Sequence, residues 1–183
     1  MTTPNLFDRN TIIQRRARAT ETGMFLQELA RDEILERLEF VNRTFTSVAV
    51  VTGFPQIWQA AFKDAVIVPD DNTLNLHPNT FDLVIHSMGL HAANDPVGQL
   101  IQCKQALQPD GLFMGACFGG QTLAELRAAL STAESQVTGG LSPRISPMAE
   151  IRDLGAVMQR AGLALPVADN LAIPVAHRDL AGM

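Results

Sequence analysis

The sequence predicts a single α/β domain in which a mostly parallel, twisted sheet carries helices on both faces. Residues 81–118 support this best, because they have the pattern of strand, polar loop, helix, turn and strand. Their two apolar runs are typical of buried parallel strands, and such a unit needs a right-handed crossover. The length of 183 residues is enough for one domain with a sizeable core.

The elements before this unit follow from apolar periodicity. An amphipathic helical region is expected from about residue 11 to residue 41, with a break near Gly23. The β-branched run SVAVVTG at 47–53 predicts the first central strand. A further short strand is expected at 66–68, ended by Pro69. This part of the chain therefore supplies helices first and then two strands.

Caps and turns set the elements that follow. Asp95 is expected to cap a helix that has Pro96 at its first position. The tetrapeptide QPDG at 108–111 should stop this helix before the next strand. Thr122 and Glu125 have the spacing of a capping box, which predicts the start of another helix. Two glycines at 139–140 should end that helix.

The end of the chain predicts one more helix and a hairpin. The helix should begin at 146–147 and stop at Gly162. Short apolar runs at 163–167 and 171–175 are expected to pair as a terminal hairpin that adds an antiparallel strand. The sheet should then contain five or six strands.

Several segments resemble one protein family. FDLVIHSMGLH at 81–91 followed by ALQPDGLF at 106–113 resembles the fourth and fifth strands of class I S-adenosylmethionine-dependent methyltransferases. LFDR at 6–9, RRARA at 15–19 and GGQTLAELRAALSTAE at 119–134 are similar to a bacterial and mitochondrial subgroup. That subgroup includes the methyltransferase-like assembly factor of respiratory complex I and resembles the biotin-pathway methyltransferases.

The resemblance implies a Rossmann-like, doubly wound fold of the class I methyltransferase type, with S-adenosylmethionine as its cofactor. It also implies a Gly-rich turn after the first strand and an acid after the second strand for the ribose hydroxyls. The family contains a member known as an arginine hydroxylase, so methyl transfer does not follow from the resemblance alone.

This chain departs from the family pattern between its first strand and residue 81. Only Gly53 remains of the Gly-rich turn, and Phe54-Pro55 replaces small residues. The segment from Gly53 to Phe81 is too short for two strands with two crossover helices, which indicates that one βα unit is missing. The strand at 66–71 is either the second or the third of the family fold, with the third favoured.

The candidate site residues follow from these assignments. Polar residues gather where strands end, and ligands bind at that edge in open α/β sheets. No residue stands out as a catalytic base, and loop hydrogen bonding or packing is the structural alternative for each candidate. A metal site and a serine hydrolase are disfavoured by ligand spacing and by the lack of a Gly-x-Ser-x-Gly turn. The cofactor candidates are Gly53, Asp70, Asp71, His86 and Ser87, and the substrate or loop candidates are His91 and Asn94.

The composition of the chain indicates which partners and which cellular compartment to expect. The net charge of −5 and the isoelectric point near 5.3 argue against nucleic acid. The two cysteines, Cys103 and Cys117, are expected to be reduced. The first residues lack a signal peptide, and no apolar run is long enough to span a membrane. A cytoplasmic protein is therefore expected.

Two functions remain open: a methyltransferase of unknown acceptor, or a non-catalytic scaffold or assembly factor that has lost the cofactor. Residues 1–45 are expected to form a helical lid over the cofactor edge of a methyltransferase-like domain at 46–183, with Arg15, Arg16 and Arg18 facing outward. S-adenosylmethionine should bind weakly or not at all. The missing βα unit favours a homodimer, with closure by the early helices as the alternative, and a scaffold would have a protein partner.

Overall fold

A four-stranded parallel sheet forms the centre of the fold. The computed structural model describes residues 5–176. In this part of the chain the strands are β1 (Val48–Thr52), β2 (Val66–Val68), β3 (Phe81–Ser87) and β4 (Leu107–Ala116). Their order across the sheet is β2-β1-β3-β4, and every neighbouring pair is parallel. The predicted α/β, mostly parallel architecture is confirmed.

Helices cover both faces of this sheet. Ile34 packs on one face with Val48 and Val50, whereas Cys103 packs on the opposite face with Ala49 and its neighbours. All five residues of β1 and all seven of β3 are buried, which explains why both strands are apolar almost throughout. The α-helices are α1 (Arg9–Arg16), α2 (Phe25–Glu39), α3 (Pro96–Ala106), α4 (Ala124–Thr138) and α5 (Ile151–Arg160).

The predicted helix boundaries hold at two places. A 3₁₀ turn at Glu21–Gly23 separates α1 from α2, as expected from the break near Gly23. The Asp95 carboxylate accepts a hydrogen bond from the backbone N–H of Gly98 at 2.8 Å, and Pro96 begins α3. These local signals therefore fix the entry to the helix that follows β3.

Five predictions about the second half of the chain are wrong. The QPDG segment at 108–111 lies inside β4 rather than in a turn before it, because β4 begins directly after α3 at Leu107. The last helix begins at Ile151 rather than at 146–147. The described residues contain four strands rather than five or six, and none of them is antiparallel. Residues 163–175 contain no strand, since no neighbouring strand offers them a partner and a lone hairpin is marginal in water. The capping box does not form, because Leu123 precedes α4 in a left-handed conformation without a side-chain cap.

The position of β2 bears on the expectation that one βα unit is missing. In the common doubly wound order, 3-2-1-4-5-6, the strand beside strand 1 is strand 2. Here β2 pairs directly with β1, with Val50 opposite Ile67. β2 therefore takes the place of the second strand in space, although its sequence context favours the third. A single short connection, residues 53–65, joins the two strands.

Candidate functional site

The carboxyl ends of β1, β2 and β3 lie side by side at one edge of the sheet, and we call the region above them, into which the Arg16 side chain extends, the cleft. Gly53 follows β1, Asp70 follows β2, and Gly89 follows β3. A Cβ placed on Gly89 would lie 2.5 Å from Asp70 Oδ2 and 2.9 Å from His86 Cε1. The ends of the three strands therefore bring these groups together at the edge where α/β sheets bind ligands.

The Asp70 carboxylate lies at the centre of this cleft, with a side chain only 1% exposed. Arg16 donates from Nη1 to Oδ1 at 2.6 Å and from Nη2 to Oδ2 at 2.8 Å. Arg9 Nη2 donates to Asp70 Oδ1 and to Asp71 Oδ1, both at 3.1 Å. Burial opposes ionisation, but the guanidinium groups of Arg16 and Arg9 outweigh it and lower the pKa of Asp70 to about 2. The carboxylate is therefore charged at neutral pH.

Arg16 also covers Gly53. A Cβ built on Gly53 would clash with the Arg16 guanidinium, so this group lies directly on the glycine backbone. The Phe54 ring stands beside it, with the guanidinium carbon 5.7 Å from the ring centroid. The prediction that Arg15, Arg16 and Arg18 all face outward is wrong for Arg16, whose side chain is 16% exposed.

The segment that carries these arginines crosses the carboxyl edge of the sheet. We call residues 6–16 the N-terminal strap. Asn94 Oδ1 accepts hydrogen bonds from the backbone N–H groups of Leu6 and Phe7, both at 2.9 Å. Asn94 Nδ2 donates to the Phe7 carbonyl at 3.0 Å. The strap is thus attached after β3 by Asn94 and after β2 by Asp70 and Asp71.

A buried histidine connects the cleft to α3. His86 Nε2 and Gln99 Oε1 are 3.0 Å apart. The Gln99 amide nitrogen donates to the carbonyls of Asp70 and Asp71 at 3.0 and 2.8 Å. Gln99 Oε1 must therefore accept, and His86 carries its proton on Nε2. Burial, the largest cause, lowers the pKa of His86 to about 4, so the ring is neutral.

That tautomer leaves His86 Nδ1 as a buried acceptor, and it has no partner among the described residues. His91 Nδ1 and Ser87 Oγ are likewise buried without a hydrogen bond there. The His91 ring packs on Phe118, with ring centroids 4.7 Å apart. Burial, followed by the positive charge of Arg16, lowers the pKa of His91 to about 4. Native proteins rarely leave such groups unsatisfied, so water or a ligand is expected beside them.

The structure brings together most of the residues singled out from sequence. Gly53, Asp70, Asp71 and His86 lie at one edge and are joined through Arg16, Arg9 or Gln99. Asn94 holds the strap. Ser87 is the last residue of β3 and His91 follows that strand, and neither Ser87 Oγ nor His91 Nδ1 has a hydrogen-bond partner in residues 5–176. The roles of all seven residues in cofactor or substrate binding stay predictions.

Sequence reasoning missed Arg9, Arg16 and Gln99. The spacing of the two arginines contains a signal, because residues seven apart lie two turns apart on one face of a helix. Arg15 lies on another face and is exposed. No comparable signal marks Gln99, whose amide position depends on how α3 packs against residues 70–71.

The rest of the described chain offers fewer candidates. Asp82, at the opposite end of the sheet, accepts hydrogen bonds from the backbone N–H groups of Thr46 and Ser47 at 2.7 and 3.0 Å, which is a structural role. Cys103 and Cys117 are both free thiols, and burial raises the pKa of Cys103 to about 12. Residues 5–176 contain no cluster of three or more His, Cys, Asp or Glu side chains suited to a metal ion. None of the helices found there is long and apolar enough to cross a membrane.

Comparisons with known proteins give the family. Residues 21–115 match the family described as methyltransferase domain. A zebrafish (Danio rerio) protein called arginine-hydroxylase NDUFAF5, mitochondrial, is 41% identical over 162 residues, which cover 84% of this chain and 50% of that one. The mouse (Mus musculus) protein of the same name is 44% identical over 124 residues, 64% of this chain and 36% of its own. The chain thus spans between about a third and a half of the length of these relatives.

Solved structures share the fold. An S-adenosylmethionine-dependent methyltransferase from Thermotoga maritima superposes with a TM-score of 0.55 at 15% identity, covering 83% of this chain and 80% of that one. A Haemonchus contortus phosphoethanolamine N-methyltransferase bound to S-adenosylhomocysteine superposes with a TM-score of 0.52 at 13% identity. The superposition covers 82% of this chain and 44% of that one. Both likenesses, at 15% and 13% identity, show a shared fold. With its parallel doubly wound sheet and its match over residues 21–115, the chain belongs to the methyltransferase domain family and is a class I, S-adenosylmethionine-dependent methyltransferase-like protein.

Proposed function

We propose that the cleft between Gly53 and Asp70 is the S-adenosylmethionine site and that it binds this cofactor weakly. The observation that carries the proposal is the buried carboxylate of Asp70, held charged at the carboxyl edge of the sheet beside Gly53. A charged acceptor at this position suits the ribose hydroxyls of the cofactor. S-adenosylmethionine would supply the transferable methyl group.

The residues fit the cofactor only in part. Asp70 suits the ribose of the cofactor, and Gly53 suits its methionine portion. In this structure, however, the Arg16 guanidinium bonds to Asp70 and lies against Gly53. Phe54 and Pro55 replace the small residues that allow close backbone approach. His86 Nδ1 and Ser87 Oγ would offer further polar contacts at the end of β3. We therefore expect a dissociation constant above about 1 μM, or less than roughly 8 kcal/mol of binding free energy.

Isothermal titration calorimetry with S-adenosylmethionine and S-adenosylhomocysteine tests this function. The wild type should bind weakly, Asp70→Asn should not bind, and Asp71→Asn should bind like the wild type because the Asp71 side chain is 50% exposed. A tight stoichiometric isotherm for the wild type would contradict weak binding. If no ligand binds to any variant, the scaffold function gains support over the enzymatic one.

The cleft also suggests a second candidate function, recognition of an arginine side chain of a partner protein. One observation favours it: the cleft already holds a guanidinium, which donates two hydrogen bonds to the Asp70 carboxylate and lies beside the Phe54 ring. The zebrafish and mouse relatives are named arginine hydroxylases. Fluorescence polarisation with an arginine-containing peptide and its citrulline counterpart tests this, since only the charged side chain should bind. Equal binding of the two peptides would contradict it.

We also propose that the chain forms a homodimer or binds a protein partner. Apolar side chains in and after α4 are exposed: Val137 is 84% exposed and Leu141 is 70% exposed. The four described strands leave the outer edge of β4 without a neighbour. Large exposed apolar areas are uncommon in isolated monomers and often mark interaction surfaces.

A further inference from the structure

The N-terminal strap does more than cover the cleft, because its Arg16 side chain takes up the contacts that a ligand would need. Both carboxylate oxygens of Asp70 accept from Arg16, and the Arg16 guanidinium lies on the backbone of Gly53. Arg9 adds a bond to the same carboxylate. A ribose hydroxyl cannot approach Asp70 from this side while Arg16 remains in place.

Polar contacts dominate the attachment of the strap. None of the eight residues of α1 is buried. The contacts that hold it are those of Arg16 and Arg9 with the acids after β2 and those of Asn94 with the backbone of Leu6 and Phe7. No residue of the strap belongs to either of the two apolar clusters that include the core strands and α2. A helix of eight residues is marginal by itself, so the strap should lose order once its ion pairs break.

We propose that residues 6–16 form an autoinhibitory gate, in which Arg16 occupies the cleft and must leave before a ligand can enter. The proposal rests on the proposed function of the cleft as the cofactor site. Closure of the gate and occupation of the cleft are mutually exclusive, because both use Asp70. A ligand that binds there must therefore release the strap, and removal of the Arg16 side chain must favour the open state.

Hydrogen exchange measured by mass spectrometry tests the gate without any cofactor. The variant is Arg16→Ala, and the matched control is Arg15→Ala, since Arg15 is exposed on the same helix. We expect amides of residues 9–16 to exchange at least 10-fold faster in Arg16→Ala, with β1 and β3 unchanged, and no change in the control. Strap exchange in Arg16→Ala equal to that of the wild type would overturn the proposal.

A second measurement uses methylguanidinium, which can fill the space left by the shortened side chain. Methylguanidinium should bind Arg16→Ala saturably, and the bound ion should slow hydrogen exchange of the amides of residues 86–91. It should not bind the wild type or Arg15→Ala. Failure to bind Arg16→Ala would overturn the assignment of the cleft as the site that Arg16 closes.

S-adenosylhomocysteine then separates this proposal from the function on which it rests. Tighter binding to Arg16→Ala than to the wild type, by at least 10-fold, would support both. Equal measurable binding to the two proteins would overturn the gate and leave the cofactor site standing. An open strap that accepts methylguanidinium but binds no S-adenosylhomocysteine would support the gate and overturn the cofactor function.

Discussion

Arg16 and Asp70, 54 positions apart in sequence, form a bidentate salt bridge. Arg16 Nη1 donates to Asp70 Oδ1, and Arg16 Nη2 donates to Asp70 Oδ2. Asp70 is buried, and a buried carboxylate without a cation is strongly unfavourable. In this conformation the chain itself supplies that cation from α1. The connection explains why a helix with no buried residue is nevertheless held against the sheet. It also joins α1 to the residue that we propose as the ribose acceptor.

The first prediction concerns the stability that Asp70 provides. Asp70→Asn should lower the free energy of unfolding by about 3 kcal/mol, because it leaves two partly buried arginines without their shared anion. Asp71→Asn is the matched control and should cost less than about 1 kcal/mol, since its ion pair with Arg9 is half exposed. Urea denaturation monitored by circular dichroism measures both. Equal losses in the two variants would show that burial at residue 70 is not what matters.

The second prediction concerns pH. The pKa of His86 is lowered from 6.5 to about 4 by burial. Between pH 6.5 and 4 the unfolded chain binds a proton at this histidine and the folded protein does not. The free energy of unfolding should therefore be highest above about pH 6.5 and fall as the pH drops toward 4. The loss from this residue should be on the order of 3 kcal/mol.

His86→Gln tests this, because glutamine can still donate to Gln99 but does not titrate. Its stability should fall less steeply than that of the wild type between pH 6.5 and 4.5 in urea titrations. His91, whose pKa burial also lowers to about 4, should contribute to the residual slope. His77→Gln, at an exposed position, serves as the control and should retain the wild-type slope. A His86→Gln profile parallel to that of the wild type would contradict the prediction.

Much of the fold could be predicted because local signals and burial agree. Apolar runs marked β1, β2 and β3, and Asp95 with Pro96 marked the start of α3. These signals depend only on nearby residues and on burial of both strand faces. The terminal hairpin failed because a strand needs a neighbour that its own sequence does not encode. Leu165, for example, is 93% exposed rather than packed in a sheet.

The site was predictable only as far as the ends of the strands. Sheet topology alone places Gly53, Asp70 and His86 at one edge. Arg16 was assigned to a solvated face, because a charged residue in an amphipathic helix is usually exposed. Its actual position depends on a contact with an acid 54 residues away, and single-sequence patterns carry no such pairing. Spacing of seven between Arg9 and Arg16 becomes informative only once the acid is known.

The third prediction uses two glycines with opposite surroundings. Gly89→Ala would put a methyl group against Asp70 Oδ2 and His86 Cε1, and should destabilise the protein by about 1–3 kcal/mol. Gly155→Ala, inside α5 where an added Cβ would meet no atom within 4 Å beyond the adjacent residues and the backbone of its own helix, should stabilise it by about 0.5–1 kcal/mol. Thermal unfolding by calorimetry compares the two. A Gly89→Ala variant as stable as the wild type would contradict the prediction for the cleft, and a destabilised Gly155→Ala would contradict the prediction for α5.

The last prediction concerns self-association. The short segment between Gly53 and Phe81 predicts that one βα unit is missing, and each apolar side chain that its helix would have buried would contribute about 1.5–3 kcal/mol. α4 has no buried residue, and Leu130 and Val137 on it remain exposed. A twofold dimer could bury the same surface on both subunits. Sedimentation equilibrium at micromolar concentration should therefore give a dimer mass.

A matched pair of variants locates the contact. Val137→Asp, which charges the exposed end of α4, should shift the equilibrium toward monomer by at least 10-fold in dissociation constant. Phe40→Asp is the control, because Phe40 is 81% exposed at the end of α2 and lies outside α4. A clean monomer mass for the wild type across the concentration range would overturn the dimer and show that the early helices cover the sheet within one chain. Weakening by Phe40→Asp alone would instead place the contact at the end of α2.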